Sequence, residues 1–392
     1  MRFTKKLFAL AAALTAFALV GPASALAGWA IESVPEPPGG PNQELDSVSC
    51  PTASMCAATG HREVFGSSAP ISYTWNGSAW TERSLPTPEG AGSGYKVIEG
   101  VSCTSASACV AVGSFENELE IITPQAQKWN GTKWTSEVLP APAGSNGMFL
   151  LGVSCTSPAA CTAVGQYYDS EYEVFAITER WDGTEWTIEL PPQPSGGLPV
   201  LFDVSCTSSE DCMAVGRSSV SGPETISFAE RWDGTEWILE ETPRVAENRW
   251  IEPKSISCVA AEECRTVGFY GDGEPIWAST WSAFSQEYDG SSWSVQTLPG
   301  LAESSNSAYG VSCVSSSSCT AAGFATVGAL TSTAFAEVWN GSEWTLEAMP
   351  QPKKGSYARV VSISCVSASV CTAVGMSYDA TTGTHLLVER KT

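Results

Sequence analysis

The chain repeats one apolar–polar pattern seven times. Each repeat opens on V-S-C or I-S-C, as in Val101-Ser102-Cys103. Five mostly small residues follow, then C-x-A-V-G or a close variant, as in Cys161 to Gly165. A variable stretch leads to a third segment such as "FAERWDG" or "FAEVWNG", and then to "TEWTIELP" or "SEWTLEAMP". Short apolar runs bounded by Gly, Pro, Asn and Asp read as strands. Asn-Gly or Asp-Gly separates the third and fourth segments in six repeats, at Asn76, Asn130, Asp182, Asp233, Asp289 and Asn340. That dipeptide between apolar runs predicts a hairpin with a type I′ turn. Tryptophans flank it, as in Trp181 and Trp186, and are expected in the layer between neighbouring sheets.

The first cysteines of the repeats stand at 50, 103, 155, 206, 258, 313 and 365, a spacing in the range of blade-type repeats. The expected fold is therefore all-β: a seven-bladed β-propeller with four antiparallel strands per blade, formed by residues 28–392 as one domain. The chain ends favour a closed ring over an open array. The seventh repeat stops at "LLVERKT", where other repeats continue into "FAERWDGTEW". The missing strand is at the other end, where "GWAIESVPEP" from Gly28 matches "EWTIELPPQP". The N-terminal strand should complete the last blade.

The cysteines pair as Cys50/Cys56, Cys103/Cys109, Cys155/Cys161, Cys206/Cys212, Cys258/Cys264, Cys313/Cys319 and Cys365/Cys371. Every pair is C-x5-C and none is left over. Even, local cysteines behind an export signal predict seven disulfides, each within its own repeat. Such a signal is read at residues 1–27: Arg2, Lys5 and Lys6, an apolar run from 7 to 20, and small residues at Ala25 and Ala27. The expected location is extracellular or at the cell surface, with no membrane span once the signal is cleaved. Closing so short a loop stabilises each hairpin by roughly 2 kcal/mol on the chain-entropy model.

The formal net charge is −22. Such an excess repels nucleic acid and anionic membranes, and neither is an expected partner. A monomer is expected, with a glycan or an extracellular protein as the candidate partner.

The repeated Gly turn followed by Trp resembles the kelch and Asp-box (sialidase-type) propeller repeats. The resemblance covers residues 28–392. "WDGTEWT" departs from the Asp-box spacing, and the kelch double glycine is absent. The resemblance thus implies the superfold and not a named activity.

Comparison among the repeats separates two faces. The loops between the first and second strands (A–B) and between the third and fourth (C–D) are nearly uniform. The B–C loops vary from "RSSVSGPET" to "FYGDGEPIWASTWSA". Variable loops mark the face free to carry function. Tyr95, Trp250 and Tyr357 lie there on D–A connections, and Tyr168 and Trp277 on B–C loops, with Tyr167, Asp169, Tyr172 and Trp281 beside them. Aromatic rings next to carboxylates suit carbohydrate or peptide contacts.

Catalytic and metal chemistry is thinly represented. Arg62, Arg217, Arg249 and Arg359 come one each from separate blades, so no sialidase-type arginine cluster is evident. Glu118, Glu120, Glu171 and Glu173 could pair as acid and nucleophile, but adjacent glutamates on an acidic chain read as a solvated face. The only histidines, His61 and His385, lie in blades 1 and 7 and form no ligand set. Gly271-Asp272-Gly273-Glu274 is far shorter than a calcium hand and reads as a turn. No cofactor is expected. The favoured function is a non-enzymatic binding or scaffold module, and its rival is a carbohydrate-active enzyme using the channel mouth.

Overall fold

The computed structural model describes residues 28–392 except 37–41, 65, 222–223, 246–249, 272–279, 303, 329–330 and 353–356. The signal segment read at residues 1–27 lies outside the described residues, as do Trp277, Arg249 and Asp272 to Glu274.

Seven four-stranded antiparallel blades follow one another, their strands running A to D from the centre outward. The inner A strands are Gln43–Thr52, Ala91–Ser105, Gly147–Ser157, Gly197–Ser208, Trp250–Ala260, Ser305–Ser315 and Tyr357–Ser367 for blades 1 to 7. Neighbouring blades touch through these strands all the way round, including blade 7 with blade 1. The D strand of blade 7 is Trp29–Ile31, which pairs antiparallel with Gly383–Lys391 in the register Trp29↔Lys391, Ala30↔Arg390, Ile31↔Glu389. Trp29 also donates its indole N–H to Glu347 of blade 6 at 3.0 Å, and Lys391 reaches the same carboxylate at 2.8 Å.

All seven expected disulfides are formed, each inside its own blade. They are Cys50–Cys56, Cys103–Cys109, Cys155–Cys161, Cys206–Cys212, Cys258–Cys264, Cys313–Cys319 and Cys365–Cys371. No free cysteine remains among the described residues. In blades 2 to 7 the two cysteines face each other as ladder partners across the A–B hairpin, for example Cys103↔Cys109 and Cys206↔Cys212. The bridges do more than clip the hairpins. The second cysteine of every pair is buried: Cys56, Cys109, Cys161, Cys212, Cys264, Cys319 and Cys371 all pack in the apolar layers between blades. A sulfur in that position is a small hydrophobic group of the core as well as half of a crosslink.

The core lies between the blades rather than inside any one of them. Val164 and Ala176 of blade 3 pack with Leu201, Val204 and Trp232 of blade 4. Val374 and Val388 of blade 7 pack with Leu45 and Tyr73 of blade 1. Both faces of a central strand are therefore covered, which explains the unbroken apolar "AV" of C-x-A-V-G. Cations bridge the same layers. Lys128, Arg180, Arg265 and Arg390 lie over Trp181, Trp232, Trp339 and Trp75 of the next blade at 3.3, 4.1, 4.2 and 4.2 Å.

The V-S-C motif closes the ring by hydrogen bonds. The Ser hydroxyl of one blade accepts the backbone N–H of the motif cysteine in the next. Ser49, Ser102, Ser154, Ser205, Ser257 and Ser312 accept from Cys103, Cys155, Cys206, Cys258, Cys313 and Cys365 at 2.9–3.0 Å. Ser364 of blade 7 accepts from Cys50 of blade 1 at 3.0 Å, which completes the circle.

The C–D turns differ from the expected type I′. Only the glycine has positive φ, near 95° at Gly77, Gly183, Gly234 and Gly341, whereas type I′ needs it at both central residues. The connection spans four residues between facing tryptophans, as in Trp181↔Trp186. Its Asp or Asn side chain does the folding. Asp182 Oδ1 accepts the Thr184 and Glu185 N–H groups at 2.7 and 2.9 Å and the Thr184 hydroxyl at 2.6 Å. Five other blades repeat this Asx turn, for example at Asn130 and Asp289. The hydrogen bonds hold Asp182, Asp233 and Asp289 below the usual carboxylate range.

Two residues before the last residue of each C strand sits a fully buried polar side chain: Tyr73, Gln127, Glu179, Glu230, Gln286, Glu337 and Glu389. Gln127 donates to the Pro86 carbonyl of the preceding blade at 3.1 Å, and Gln286 to that of Pro243 at 2.8 Å. A carboxylate cannot donate in that place. Both oxygens of Glu179, Glu230 and Glu389 are buried without a partner. Burial pushes each of the three up to about 8, so they are largely neutral acids at pH 7.

This architecture can be tested at its seam and through its buried acids. Trp29→Ala removes the closing indole of blade 7 and should destabilise the ring by roughly 3 kcal/mol, read by urea unfolding. A variant unfolding at the wild-type midpoint would mean that the N-terminal strand does not close the ring. The buried glutamates have folded pKa values above their unfolded ones, so stability is full below about pH 4.5 and falls as pH rises toward 8. The melting temperature should drop by several degrees between pH 5 and pH 8.5. Glu230→Gln should raise it at pH 8.5 and reduce the slope, and a flat wild-type profile would contradict neutral burial.

Candidate functional site

The seven A strands share a β-bulge that builds the wall of the central channel. In blade 3 the register passes from Leu150↔Gly165 to Gly152↔Val164, which leaves Leu151 as the extra residue. The same step skips Asp46, Glu99, Phe202, Lys254, Tyr309 and Val361 in the other blades. A bulge frees one residue from the ladder and re-aims it. All seven freed residues line a cavity of about 470 Å³ on the axis.

The glycine ending C-x-A-V-G is the other half of this device. A Cβ on Gly165 would collide with the Phe149 carbonyl oxygen, and one on Gly60 with that of Glu44. Strand A swings a carbonyl against strand B opposite the bulge, and only glycine leaves room. One residue beyond the bulge on strand A, blades 2, 3 and 6 carry Gly100, Gly152 and Gly310, where the next blade's backbone comes close, at Gly152 too close for any Cβ. Blades 1, 5 and 7 carry Ser47, Ser255 and Ser362, whose hydroxyls accept N–H groups of Val101, Val311 and Val48 at 3.1, 3.3 and 3.1 Å. Blade 4 carries Asp203, which accepts from Ile256 N–H at 3.0 Å and from its own neighbour Val204 at 2.9 Å. Burial pushes Asp203 up to about 6 against those hydrogen bonds.

The channel is charged on one side and aromatic on the other. On the charged side Arg359 of blade 7 grips Glu44 of blade 1 with both guanidinium edges, Nε to Oε1 at 2.7 Å and Nη2 to Oε2. Asp46 holds His61 Nδ1 at 2.7 Å. The hydrogen bond to Asp46 pushes the imidazole up to about 9, so it is cationic at neutral pH. Asp46 itself is raised to about 6, chiefly by burial. Glu99 of blade 2 is pushed up to about 7 by burial first, then by the charges of Asp46 and Glu44, with His61 and Lys254 opposing.

On the aromatic side Phe269, Tyr309 and Phe324 stack in sequence across blades 5 and 6, with centroids 5.4 Å apart at each step. Lys254 projects among them. Its ammonium pairs with Glu252 at 2.6 Å and lies 4.3 Å from the Phe202 ring centre and 5.6 Å from that of Tyr309. Glu252 also takes Arg217 at 3.3 Å.

The sequence-selected aromatics fall into three groups around this mouth. Tyr95 packs edge-on to Phe149 at 6.4 Å, and Phe149 to Tyr168 at 6.1 Å. Tyr357 meets Phe324 at 6.1 Å and so joins the blade 5–6 stack, whose other end touches Trp281. Trp250 carries the Arg217 guanidinium at 4.4 Å. Tyr167 stacks on Phe175 at 5.3 Å, and Tyr172 is exposed. Glu118, Glu120, Glu171 and Glu173 are all exposed. His61 and His385 keep separate carboxylates, Asp46 and Glu36. Among the described residues no group of three or more His, Cys, Asp or Glu could hold a metal ion. Arg359 and Arg217 are spent on Glu44 and Glu252 and do not converge on one point.

Comparison of loops alone missed the seven bulge residues. The signal was present four places before each first cysteine, where the residue changes from blade to blade while the following motif stays V-S-C or I-S-C.

No family model and no curated protein matches this chain. Solved structures of similar fold do. YCF48 bound to D1 peptide superposes with a TM-score of 0.50 and 12% identity, over 93% of this chain and 96% of that one. A protein of unknown function from Dyadobacter fermentans gives 0.51 and 11%, over 93% and 97%. The Hadza microbial sialidase Hz136 gives 0.51 and 10%, over 89% and 65%. At such identities the likeness establishes the superfold: this chain is a β-propeller.

Proposed function

We propose that the chain is an exported, non-enzymatic binding or scaffold module that meets its ligand at the channel mouth, on the face bearing the B–C and D–A connections. One contrast carries this reading. The seven bulge residues, built on one backbone plan, are two acids, a lysine, two aromatics and two aliphatics. The opposite face repeats one Asx turn in six blades, with little to tell them apart. A wall that differs at every step, on an invariant frame, is the arrangement that recognises something asymmetric. Seven disulfides fit an oxidising compartment. Propellers of similar fold include one solved with a peptide and one that is a sialidase, so protein and glycan partners are both compatible with it.

A second reading rests on the carboxyl groups. Glu44, Asp46 and Glu99 share one side of the channel, and Glu99 is poised near neutral pH. An acid with a raised pKa beside a second carboxylate is what glycoside hydrolysis uses. Glu44 is committed to Arg359 and Asp46 to His61, which leaves no free nucleophile and favours binding over catalysis.

The test is a screen of the protein against glycan arrays, extracellular proteins and glycosidase substrates. With a ligand in hand, Trp250→Ala and Tyr357→Ala should each weaken binding at least fivefold, while Asn130→Ala on the turn face leaves it unchanged. The reverse pattern would move the working surface to the turn face. Hydrolysis abolished by Glu99→Gln would replace the binding reading with the enzymatic one.

A further inference from the structure

The ion pairs of the channel leave one carboxyl over. Arg359 belongs to Glu44, His61 to Asp46, and Lys254 to Glu252. Asp203 is held by backbone N–H groups of Val204 and Ile256. Among the described residues Glu99 alone of the lining carboxyl groups has neither a hydrogen bond nor an ion pair. It is nonetheless presented to the cavity, because the bulge between Ile98 and Gly100 removes it from the ladder. A charged group of this kind, desolvated and unpaired, is costly unless something arrives to pair it.

The opposite wall shows what suits such a place. Lys254 sets an ammonium against the Glu252 carboxylate with the Phe202, Phe269 and Tyr309 rings within 4.3–5.7 Å. Carboxylate and aromatic ring attract the same partner, a cation on an apolar stem. Glu99 has the carboxyl and, toward the mouth, the Tyr95–Phe149–Tyr168 group, but no cation paired with it, His61 and Lys254 acting only at a distance. The formal charge of −22 attracts such a group from a distance.

Resting on the reading of the channel mouth as the binding face, we propose that Glu99 anchors the ammonium of a lysine side chain from a basic peptide segment entering past Tyr95. Depth favours a side chain over a sugar. Glu99 lies four residues beyond Tyr95 on one strand, roughly 13 Å at 3.3 Å per residue. The lysine stem spans about half of that depth and an extended backbone segment entering past Tyr95 the rest, whereas an amino sugar, with its ammonium on the ring, must enter whole.

The experiment titrates the disulfide-intact protein by calorimetry with an end-capped tetralysine peptide, the same peptide with acetylated side chains, and a glucosamine trimer. Tetralysine should bind and its acetylated form should not. Glu99→Gln, which keeps the shape and removes the charge, should weaken tetralysine binding at least tenfold without lowering the melting temperature. Glu343→Gln, exposed on the turn face, should change binding less than twofold and so measures non-specific attraction. Affinity should rise from pH 6 to pH 8 as Glu99 ionises among Asp46, His61, Glu44, Lys254 and Tyr95, and Glu99→Gln should blunt that rise. Absence of tetralysine binding, equal loss in the two variants, or capture of the glucosamine trimer alone would overturn the assignment. If Trp250→Ala and Tyr357→Ala weaken a ligand that Glu99→Gln leaves untouched, the binding face stands and only the anchor fails.

Discussion

A propeller blade leaves one edge of its innermost strand unpaired, and everything else in this molecule depends on how that edge is satisfied. Strand A pairs with strand B on one side only. Its other edge carries N–H groups toward the neighbouring blade, where no strand lies in register to receive them. The serine of V-S-C meets this need seven times, with its hydroxyl accepting the next blade's cysteine N–H. Losing one acceptor would strand a donor at an inter-blade contact, a penalty of roughly 1–3 kcal/mol. The chain of acceptors returns from Ser364 to Cys50, so the same bond that joins consecutive blades also closes the ring.

The inter-blade serine, the A–B disulfide and the glycine of C-x-A-V-G fix the last residues of every A strand. The bulge fixes the backbone just before them. What remains free is one side chain per blade, at a set height in the channel. That division explains how the scaffold can repeat closely while the channel wall does not. The wall from Arg359 through Glu44 and Asp46 to Glu99 is ionic, and the wall from Phe202 through Lys254 to Tyr309 sets one cation between two rings, with Phe324 stacked behind Tyr309. A channel with two such walls is chemically asymmetric about its axis.

Much of the scaffold was legible in the sequence because its causes are local. Cysteine spacing, the turn dipeptides and the split seventh repeat each follow from contacts within one hairpin or one blade. The spacing announced the bridges but not their depth: that Cys56 or Cys371 would sit in an inter-blade layer depends on the neighbouring blade. The turn type was not legible. Asp182-Gly183 and Asn130-Gly131 belong to a four-residue Asx turn, whose signature is the hydroxyl residue two places after the Asp or Asn. The channel wall was not legible in the sequence: comparison of loops pointed to Tyr95, Tyr168, Trp250 and Tyr357, whereas the residues that line the cavity are set by a bulge that no single repeat announces. The pairing of Arg359 with Glu44 joins residues far apart in sequence and comes from ring closure, whereas Asp46 and Glu99 meet because blades 1 and 2 are neighbours.

Hydrogen exchange at the seven motif cysteine amides tests the closed ring most directly. Slow exchange is expected at Cys50, Cys103, Cys155, Cys206, Cys258, Cys313 and Cys365 alike, at rates set by opening of the whole ring. In Ser364→Ala, the Cys50 amide should exchange far faster while the other six remain protected. Fast exchange at Cys50 in the unaltered protein, or no response of Cys50 to loss of the Ser364 hydroxyl, would contradict a ring closed by these bonds.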